Sequence, residues 1–229
     1  FIHWGIYALE GWHEQHHYRR GLSRAEYAKL QDRFNPSAFD PDAWLDLAEA
    51  CGMEYLVFTT KHIDGFCMFD SRHTDFKVTN TPYGRDTLAM LADACHRRGF
   101  PLGLYYACVD NWHRSYPKAG RAHECPLEAD DRPDLERYLD YVRAQVEELC
   151  TQYGPLRAFW WDANNIGHQD PSINARIREM QPGAVINNRG YDAGDFGTPE
   201  RDYDRGADTV APFDRPTEAC ESVGSQSWG

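Results

Sequence analysis

The 229-residue sequence lacks both a basic surface and a long apolar run. Lys and Arg total 24 against 36 Asp and Glu, which gives a formal net charge of -12. Nucleic-acid binding relies on clustered cations that displace counter-ions from phosphates, so this balance argues against a nucleic-acid partner. No apolar segment approaches the roughly 20 residues that a membrane-spanning helix needs, so we expect no membrane partner either.

Glycine-rich phosphate loops and paired cysteines are also missing. Neither a G-x-G-x-x-G sequence nor a Walker-type loop occurs, and the seven cysteines show no C-x-x-C spacing. Several cysteines lie in apolar runs, as Cys108 does after Tyr105 and Tyr106, so we expect buried free thiols. Nothing in this pattern demands an oxidising compartment, and the sequence predicts no location in the cell.

The chain does contain an alternation of apolar, β-branched segments with amphipathic ones. Strands are predicted at 54–60, 100–107, 155–162 and 184–188, with a weaker one at 217–224 and part of another at the start. Helices are predicted at 40–52, 84–99, 132–154 and 170–183. Asp170 and Pro171 are typical of a helix start, and Gly99 of a helix end. This alternation predicts a parallel sheet covered by helices.

Polar or aromatic side chains directly follow most of the predicted strands: His3 and Trp4, His62 and Asp64, Asp110 and Trp112, Asp162, and Arg189. In a barrel, active-site residues ring the carboxyl ends of the strands, whereas an open sheet gathers them at one crevice. We therefore predict an imperfect (β/α) TIM-like barrel that forms a single catalytic domain over 1–229. Only about six strands are counted, the chain begins without Met and it ends without a terminal helix, so we expect a fragment cut at both ends.

The segment HEQHH, residues 13–17, matches the His-Glu-x-x-His signature of zinc metallopeptidases. That signature binds zinc only when both histidines lie on one face of a helix. Here the apolar helical flanks are missing and no third ligand follows. We interpret the segment as a loop over the mouth of the barrel and predict no metal site.

Asp162 and Arg189 are the strongest candidates for chemistry. Asp162 ends the apolar strand "AFWWD", and the next helix begins only at Asp170, too far away for Asp162 to cap it. A carboxylate beside two tryptophans suits a nucleophile next to the apolar face of a sugar. Arg189 suits a group that orients a carboxylate or donates to substrate oxygens.

Several segments together resemble glycoside hydrolase family 29, the α-L-fucosidases. They are, in order, "FIHWGIYALEGW", "TTKHIDGFCMFDS", "GLYYACVDNW", "FWWD", "VINNRG", "GDFGTPE" and "SWG". The resemblance runs from Phe1 to Gly229 and implies a retaining exo-hydrolase that removes terminal α-L-fucose from glycans. It implies neither a metal nor a cofactor.

The resemblance also implies roles for single residues. Asp162 matches the nucleophile, and Tyr106 matches a tyrosine beside it. The remaining substrate-binding set is His3, Trp4, Glu14, His62, Arg189 and Trp228. Trp160 and Trp161 are expected to add to an apolar wall for the sugar.

Two points stay open. Ile63 stands where the family usually has a second histidine, and this departure from the pattern leaves two alternatives to an α-L-fucosidase: a catalytically weakened sugar-binding relative, or a glycosidase that acts on a different sugar. The acid/base is assigned to Glu200, which follows Arg189 at nearly the family's interval, with Glu218 as the alternative.

Overall fold

The computed structural model describes residues 1–200 and 215–221, which build a parallel sheet covered by helices. The strands, in sheet order, are β1 (Leu56–Lys61), β2 (Leu102–Ala107), β3 (Ala158–Asp162) and β4 (Val185–Ile186). The α-helices are α1 (His16–Arg19), α2 (Arg24–Ala28), α3 (Pro41–Ala50), α4 (Thr87–Arg98), α5 (Leu135–Gln152) and α6 (Pro171–Met180). Two short 3₁₀ helices span Ile6–Glu10 and Val78–Asn80.

Aspartates begin each of the four long helices, as the sequence predicts for one of them. The carboxylates of Asp40, Asp86, Asp134 and Asp170 each accept hydrogen bonds from backbone N–H groups of the first turn. These bonds satisfy donors that would otherwise have no partner inside the helix. Gly99 ends α4 with φ 66°, a left-handed conformation that glycine adopts without strain.

Alternation along β2 and β3 sends neighbouring aromatic residues to opposite faces of the sheet. Tyr105 lies in register with Trp160, and Tyr106 with Trp161. Successive side chains on a strand point to opposite faces, so Tyr105 and Trp160 share one face while Tyr106 and Trp161 share the other. Helix α5 covers the second face, where Tyr106 Oη donates to Gln145 Oε1 at 2.7 Å.

The parallel sheet is confirmed, but in the described ranges its four strands form an open sheet. The first segment contributes a single parallel bridge, between Ile2 and Phe58, and the predicted strand at 217–224 contributes isolated bridges from Thr217 and Cys220. A closed barrel therefore stays a prediction.

The expectation of free thiols is confirmed for all seven cysteines. Six of them are buried, and Cys51 is exposed. Over 1–200 and 215–221, no helix combines the length and apolar character needed to cross a membrane.

Candidate active site

A cavity of about 730 Å³ opens at the carboxyl ends of the strands. The residues that line it come from nearly every strand-end loop: Phe1, His3, Glu14, Gln15, His62, Ile63, Tyr105, His123, Trp160, Asp162, Asn165, Arg189, Glu200 and Glu221, among others. Parallel strands end at one edge, so residues far apart in sequence meet there.

Asp162 ends β3 and presents its carboxylate to this cavity. Tyr105 Oη donates to Asp162 Oδ2 at 2.7 Å, and Arg189 Nη1 donates to Oδ1 at 3.1 Å. The side chain keeps 24% of its surface exposed, so a ligand in the cavity can reach it. Two donors on opposite oxygens fix the orientation of the carboxylate.

Arg189 joins two carboxylates from different loops. Its Nη1 donates to Asp162 and also to Glu200 Oε2 at 2.7 Å, while Nε donates to Thr198 Oγ1 at 2.7 Å. The guanidinium lies 4.9 Å from the ring centroid of Trp160. Burial acts to lower the pKa of Arg189, but the two carboxylates outweigh it and the pKa is raised. Arg189 is therefore a fixed cation at the cavity floor.

A chain of donors runs from the backbone to the nucleophile candidate. The Ile63 N–H donates to His62 Nδ1 at 2.8 Å, which leaves the proton of the neutral ring on Nε2. That nitrogen lies 2.8 Å from Tyr105 Oη, which in turn donates to Asp162. Burial lowers the pKa of His62 well below its ordinary value, so the ring is neutral. His62 and Tyr105 therefore each accept one hydrogen bond and donate another, in one direction along the chain.

The tyrosine beside Asp162 is Tyr105, so the assignment of Tyr106 is wrong by one residue. Tyr106 points to the opposite face, onto Gln145 of α5. The same alternation corrects the expectation that Trp161 belongs to the apolar wall for the sugar. Trp161 lies on the opposite face, where its Nε1 donates to Asn174 of α6 at 2.8 Å. Trp160 does line the cavity and stacks on Tyr105 with 5.6 Å between ring centroids.

Trp4 does not line the cavity, which corrects its place in the substrate-binding set. Its ring packs among Phe34, Phe39, Trp44 and Phe58, with centroid distances of 5.1 to 6.4 Å. Trp4 and His3 are neighbours in an extended segment, so their side chains diverge. His3 faces the cavity, 5.3 Å from the ring of His62 and 5.1 Å from that of Tyr105.

The HEQHH segment forms a turn followed by the short helix α1, so His13 lies outside the helix that carries His17. Glu14 lines the cavity and is only 1% exposed. Its Oε1 accepts from Gln15 Nε2 at 3.2 Å, and its Oε2 has no hydrogen-bond partner within the described part of the chain. That part also holds no cluster of three metal-ligating side chains.

Besides Glu14, three glutamates of the described residues lie in or beside the cavity wall. Glu200 and Glu221 line the cavity, whereas Glu218 does not. Glu218 instead accepts from Tyr55 Oη at 2.6 Å and from Trp160 Nε1 at 2.8 Å, so each of its oxygens holds a donor. The predicted Trp228 lies outside the described residues.

Sequence reasoning missed Tyr105, His123, Asn165 and Glu221 among the lining residues. For Tyr105 the sequence held no decisive signal, because β2 is buried on both faces and only its register with Trp160 shows which of its two tyrosines faces the cavity. His123, Asn165 and Glu221 lie in loops, where no periodic pattern indicates direction.

An oriented carboxylate, a fixed arginine, the neutral ring of His62 and a tryptophan wall define a site for an uncharged, polyhydroxylated ligand, as found in carbohydrate-processing enzymes. The comparison with known proteins makes the class specific. The profile of the alpha-L-fucosidase family matches residues 1–229, and the chain belongs to that family.

Solved structures and curated relatives agree with this membership. Alpha-L-fucosidase isoenzyme 1 from Paenibacillus thiaminolyticus has a TM-score of 0.89 and 37% identity, covering 100% of this chain and 59% of that one. An alpha-L-fucosidase of glycoside hydrolase family 29 from Bacteroides thetaiotaomicron, a trapped covalent intermediate in complex with 2-fluoro-fucosyl fluoride, has a TM-score of 0.82 and 28% identity, covering 100% and 58%. The tissue alpha-L-fucosidase of Bos taurus is 29% identical, covering 100% of this chain and 52% of its own length. The chain thus spans about half the length of this relative.

Proposed function

We propose that this chain is the catalytic part of a retaining exo-α-L-fucosidase, with Asp162 as the nucleophile. The observation that carries the proposal is the Asp162 carboxylate, held in the cavity by Arg189 and Tyr105. Family membership supports the sugar, and the trapped covalent intermediate of the Bacteroides relative supports a two-step reaction.

In the first step, a carboxylate oxygen of Asp162 bonds to the anomeric carbon while the bond to the leaving-group oxygen breaks and that oxygen takes a proton from the acid. In the second step, water gives a proton to the same group, bonds to the anomeric carbon and releases Asp162. Arg189 and Tyr105 hold the carboxylate in place without bonding to the sugar carbon. The buried Glu14 and the half-buried His3 face the space where fucose hydroxyls would lie.

Glu200 is the proposed acid/base, because it lines the same cavity and Arg189 holds it within reach of Asp162. Glu218 is the alternative, but its oxygens are occupied by Tyr55 and Trp160. Retaining enzymes place the two carboxyl groups about 5–5.5 Å apart, a separation that a loop glutamate can reach as substrate closes the site.

The same site residues support a proposal for the extent of the catalytic unit and for its substrate. We propose that 1–229 forms a single catalytic unit whose parallel order continues into a barrel, and that its partner is a fucosylated oligosaccharide or glycoconjugate. None of the steps above calls for a cofactor. The aliphatic Ile63 in the cavity wall favours one second candidate, a relative that binds or cleaves a different sugar.

The Asp162→Gly variant tests the proposal. We expect turnover of 4-nitrophenyl α-L-fucoside to fall by at least about a thousandfold, because the covalent intermediate cannot form. Added azide should restore part of the rate by entering the space that the carboxylate leaves and attacking the anomeric carbon, and the product should be a fucosyl azide.

Asp162→Asn serves as the matched control, because it removes the nucleophile but fills the space, so azide should restore less. Near-normal activity of the glycine variant would contradict the assignment of Asp162. Wild-type protein that binds L-fucose but releases no nitrophenol would favour the sugar-binding alternative.

A further inference from the structure

His123 lies in the long connection between β2 and α5 and lines the cavity that contains Asp162. Its φ is 68°, in the left-handed region that residues with a side chain seldom adopt. Strained backbone of this kind persists where the surrounding structure enforces it, and it concentrates at ligand-binding positions. His123 is therefore a residue whose placement needs an explanation.

The loops after three neighbouring strands fix this turn. Asn111, after β2, donates from Nδ2 to the His123 carbonyl at 2.8 Å, and its backbone N–H donates to the Ile63 carbonyl, after β1, at 2.8 Å. Asn165, after β3, donates from Nδ2 to the Ala122 carbonyl at 2.5 Å. Asn111 is fully buried, so its bonds are not shared with water. The turn is thus attached to the same strand ends that carry the rest of the site.

Glu124 holds the turn from the other side. This buried carboxylate accepts from Tyr116 Oη at 2.9 Å and from the backbone N–H groups of Ala119 and Arg121 at 2.8 and 3.0 Å. Burial would raise the pKa of Glu124, but these donors lower it overall, so the carboxylate stays ionised. A turn fixed in this way presents His123 to the cavity before any ligand arrives.

The His123 ring faces a part of the wall that offers little hydrogen bonding. His62 is already engaged by the Ile63 N–H and Tyr105, and Ile63 contributes an aliphatic side chain that is 2% exposed. His123 is close enough to His62 to help lower the pKa of that ring. Within the described residues neither ring nitrogen of His123 has a hydrogen-bond partner, so the ring has hydrogen-bonding capacity to spare.

We propose that His123 is a sugar-binding residue, which makes a hydrogen bond to a hydroxyl of the sugar seated at Asp162 and supplies the polar contact that Ile63 does not. The inference rests on the proposed function, since it places a sugar beside Asp162. It assigns His123 to the sugar ring rather than to the leaving group, because Asn111 ties the turn of His123 to the carbonyl of Ile63, the residue next to His62.

The test compares His123→Ala with His168→Ala. His168 is a matched control: it is half-buried in the next loop, its carbonyl accepts from Asn164 Nδ2 at 2.9 Å, and it does not line the cavity. Loss of one hydrogen bond predicts about a five- to tenfold fall in kcat/KM and a similar rise in the inhibition constant of free L-fucose. The fall should be equal for good and poor leaving groups, and His123→Asn, which tolerates the left-handed backbone and keeps hydrogen-bonding atoms, should recover part of the loss.

A series of 2-, 3- and 4-deoxy α-L-fucosides sharpens the result. The effect of His123→Ala should disappear for the one analogue that lacks the hydroxyl His123 contacts, and persist for the others. If His123→Ala matches His168→Ala in both kcat/KM and fucose inhibition, the inference is overturned and the proposed function stands. The same holds if His123→Ala loses activity only with bulky leaving groups. Wild-type protein that neither cleaves an α-L-fucoside nor binds L-fucose would overturn both.

Discussion

Arg189 bonds two carboxylates through a single nitrogen and so controls the spacing of the groups proposed for catalysis. Its Nη1 lies 3.1 Å from Asp162 Oδ1 and 2.7 Å from Glu200 Oε2. A planar guanidinium anchored on Thr198 and stacked over Trp160 has little freedom to move. The geometry therefore ties the position of the acid/base candidate to that of the nucleophile.

The Glu200→Ala variant should separate acid catalysis from simple damage to the site. A general acid matters when the leaving group needs a proton, so kcat/KM should fall severely for a sugar leaving group and mildly for 2,4-dinitrophenolate. Glu218→Ala and Glu221→Ala provide the comparison, assayed on the same pair of substrates. If either of them shows this split and Glu200→Ala does not, the assignment passes to that residue.

Sequence reasoning reached the strand-end residues more securely than the faces of the strands. Asp162, His62 and Arg189 lie in the cavity because each follows a strand whose limits the apolar pattern defines. Tyr106 was predicted beside Asp162 in place of Tyr105 because both are tyrosines in a strand that is buried on each face. In such a strand no alternation of polar and apolar residues indicates which side chain faces the cavity. Only the register with Trp160 decides it.

In the HEQHH segment, the local structure gives the last histidine of the zinc-binding signature a packing role. His17 lies on α1, is 1% exposed and stacks on Tyr27 of α2 with ring centroids 4.3 Å apart and planes 6° from parallel. Neither of its ring nitrogens has a hydrogen-bond partner in the described part of the chain. Burial, followed by the charge of Lys118, lowers the pKa of His17 to about 4. The residue acts as an apolar ring in the core.

The His17→Phe variant should therefore be stable at neutral pH and less sensitive to acid. In the wild type the unfolded chain binds a proton below the ordinary value of 6.5, but the folded chain does so only near 4. This difference withdraws stability as pH falls from about 6.5 to about 4, on the order of 3 kcal/mol in all. Urea unfolding at a series of pH values measures it. A free energy of unfolding that falls with acid as steeply in the variant as in the wild type would contradict the role of His17.

At the level of elements, the helices were predictable because their start chemistry is local. Asp170–Pro171 marks the start of one of them in the sequence and Gly99 the end of another, and the structure shows the same Asp–Pro start at Asp40–Pro41. In the described residues, the first segment and the predicted strand at 217–224 contribute only isolated bridges, from Ile2, Thr217 and Cys220, because pairing depends on partners far away in the chain; residues 222–224 lie outside the described part. Closure of a sheet is a property of all its strands together, which no single segment encodes.

For the whole molecule, Tyr27 connects two buried groups with opposite responses to pH. His17 stacks on its ring, and Tyr27 Oη donates to Asp64 Oδ2 at 2.7 Å. Burial raises the pKa of Asp64 to about 7, although the bonds from Tyr27 and the Phe66 N–H act to lower it. Between about pH 4 and 6.5 the folded state therefore holds a proton on Asp64 that the unfolded state has lost, and lacks one on His17 that the unfolded state has gained.

These two proton differences cancel, so His17 and Asp64 together add almost no net pH dependence to the free energy of unfolding in this window, and single variants should expose each contribution. Asp64→Asn removes the proton excess of the folded state, so the free energy of unfolding should rise with pH more steeply than in the wild type, by about 1.4 kcal/mol per pH unit between about 4 and 6.5. His17→Phe should tilt the curve by the same amount in the opposite direction, because the Asp64 contribution is fully present below 3.8 and is lost as pH rises to about 7. The double variant should return to the wild-type slope whatever the other titrating groups contribute, since they are common to all four proteins. Unfolding curves of these proteins at matched pH values provide the measurement, and single variants that run parallel to the wild type would show that neither group is buried in the protonation state described.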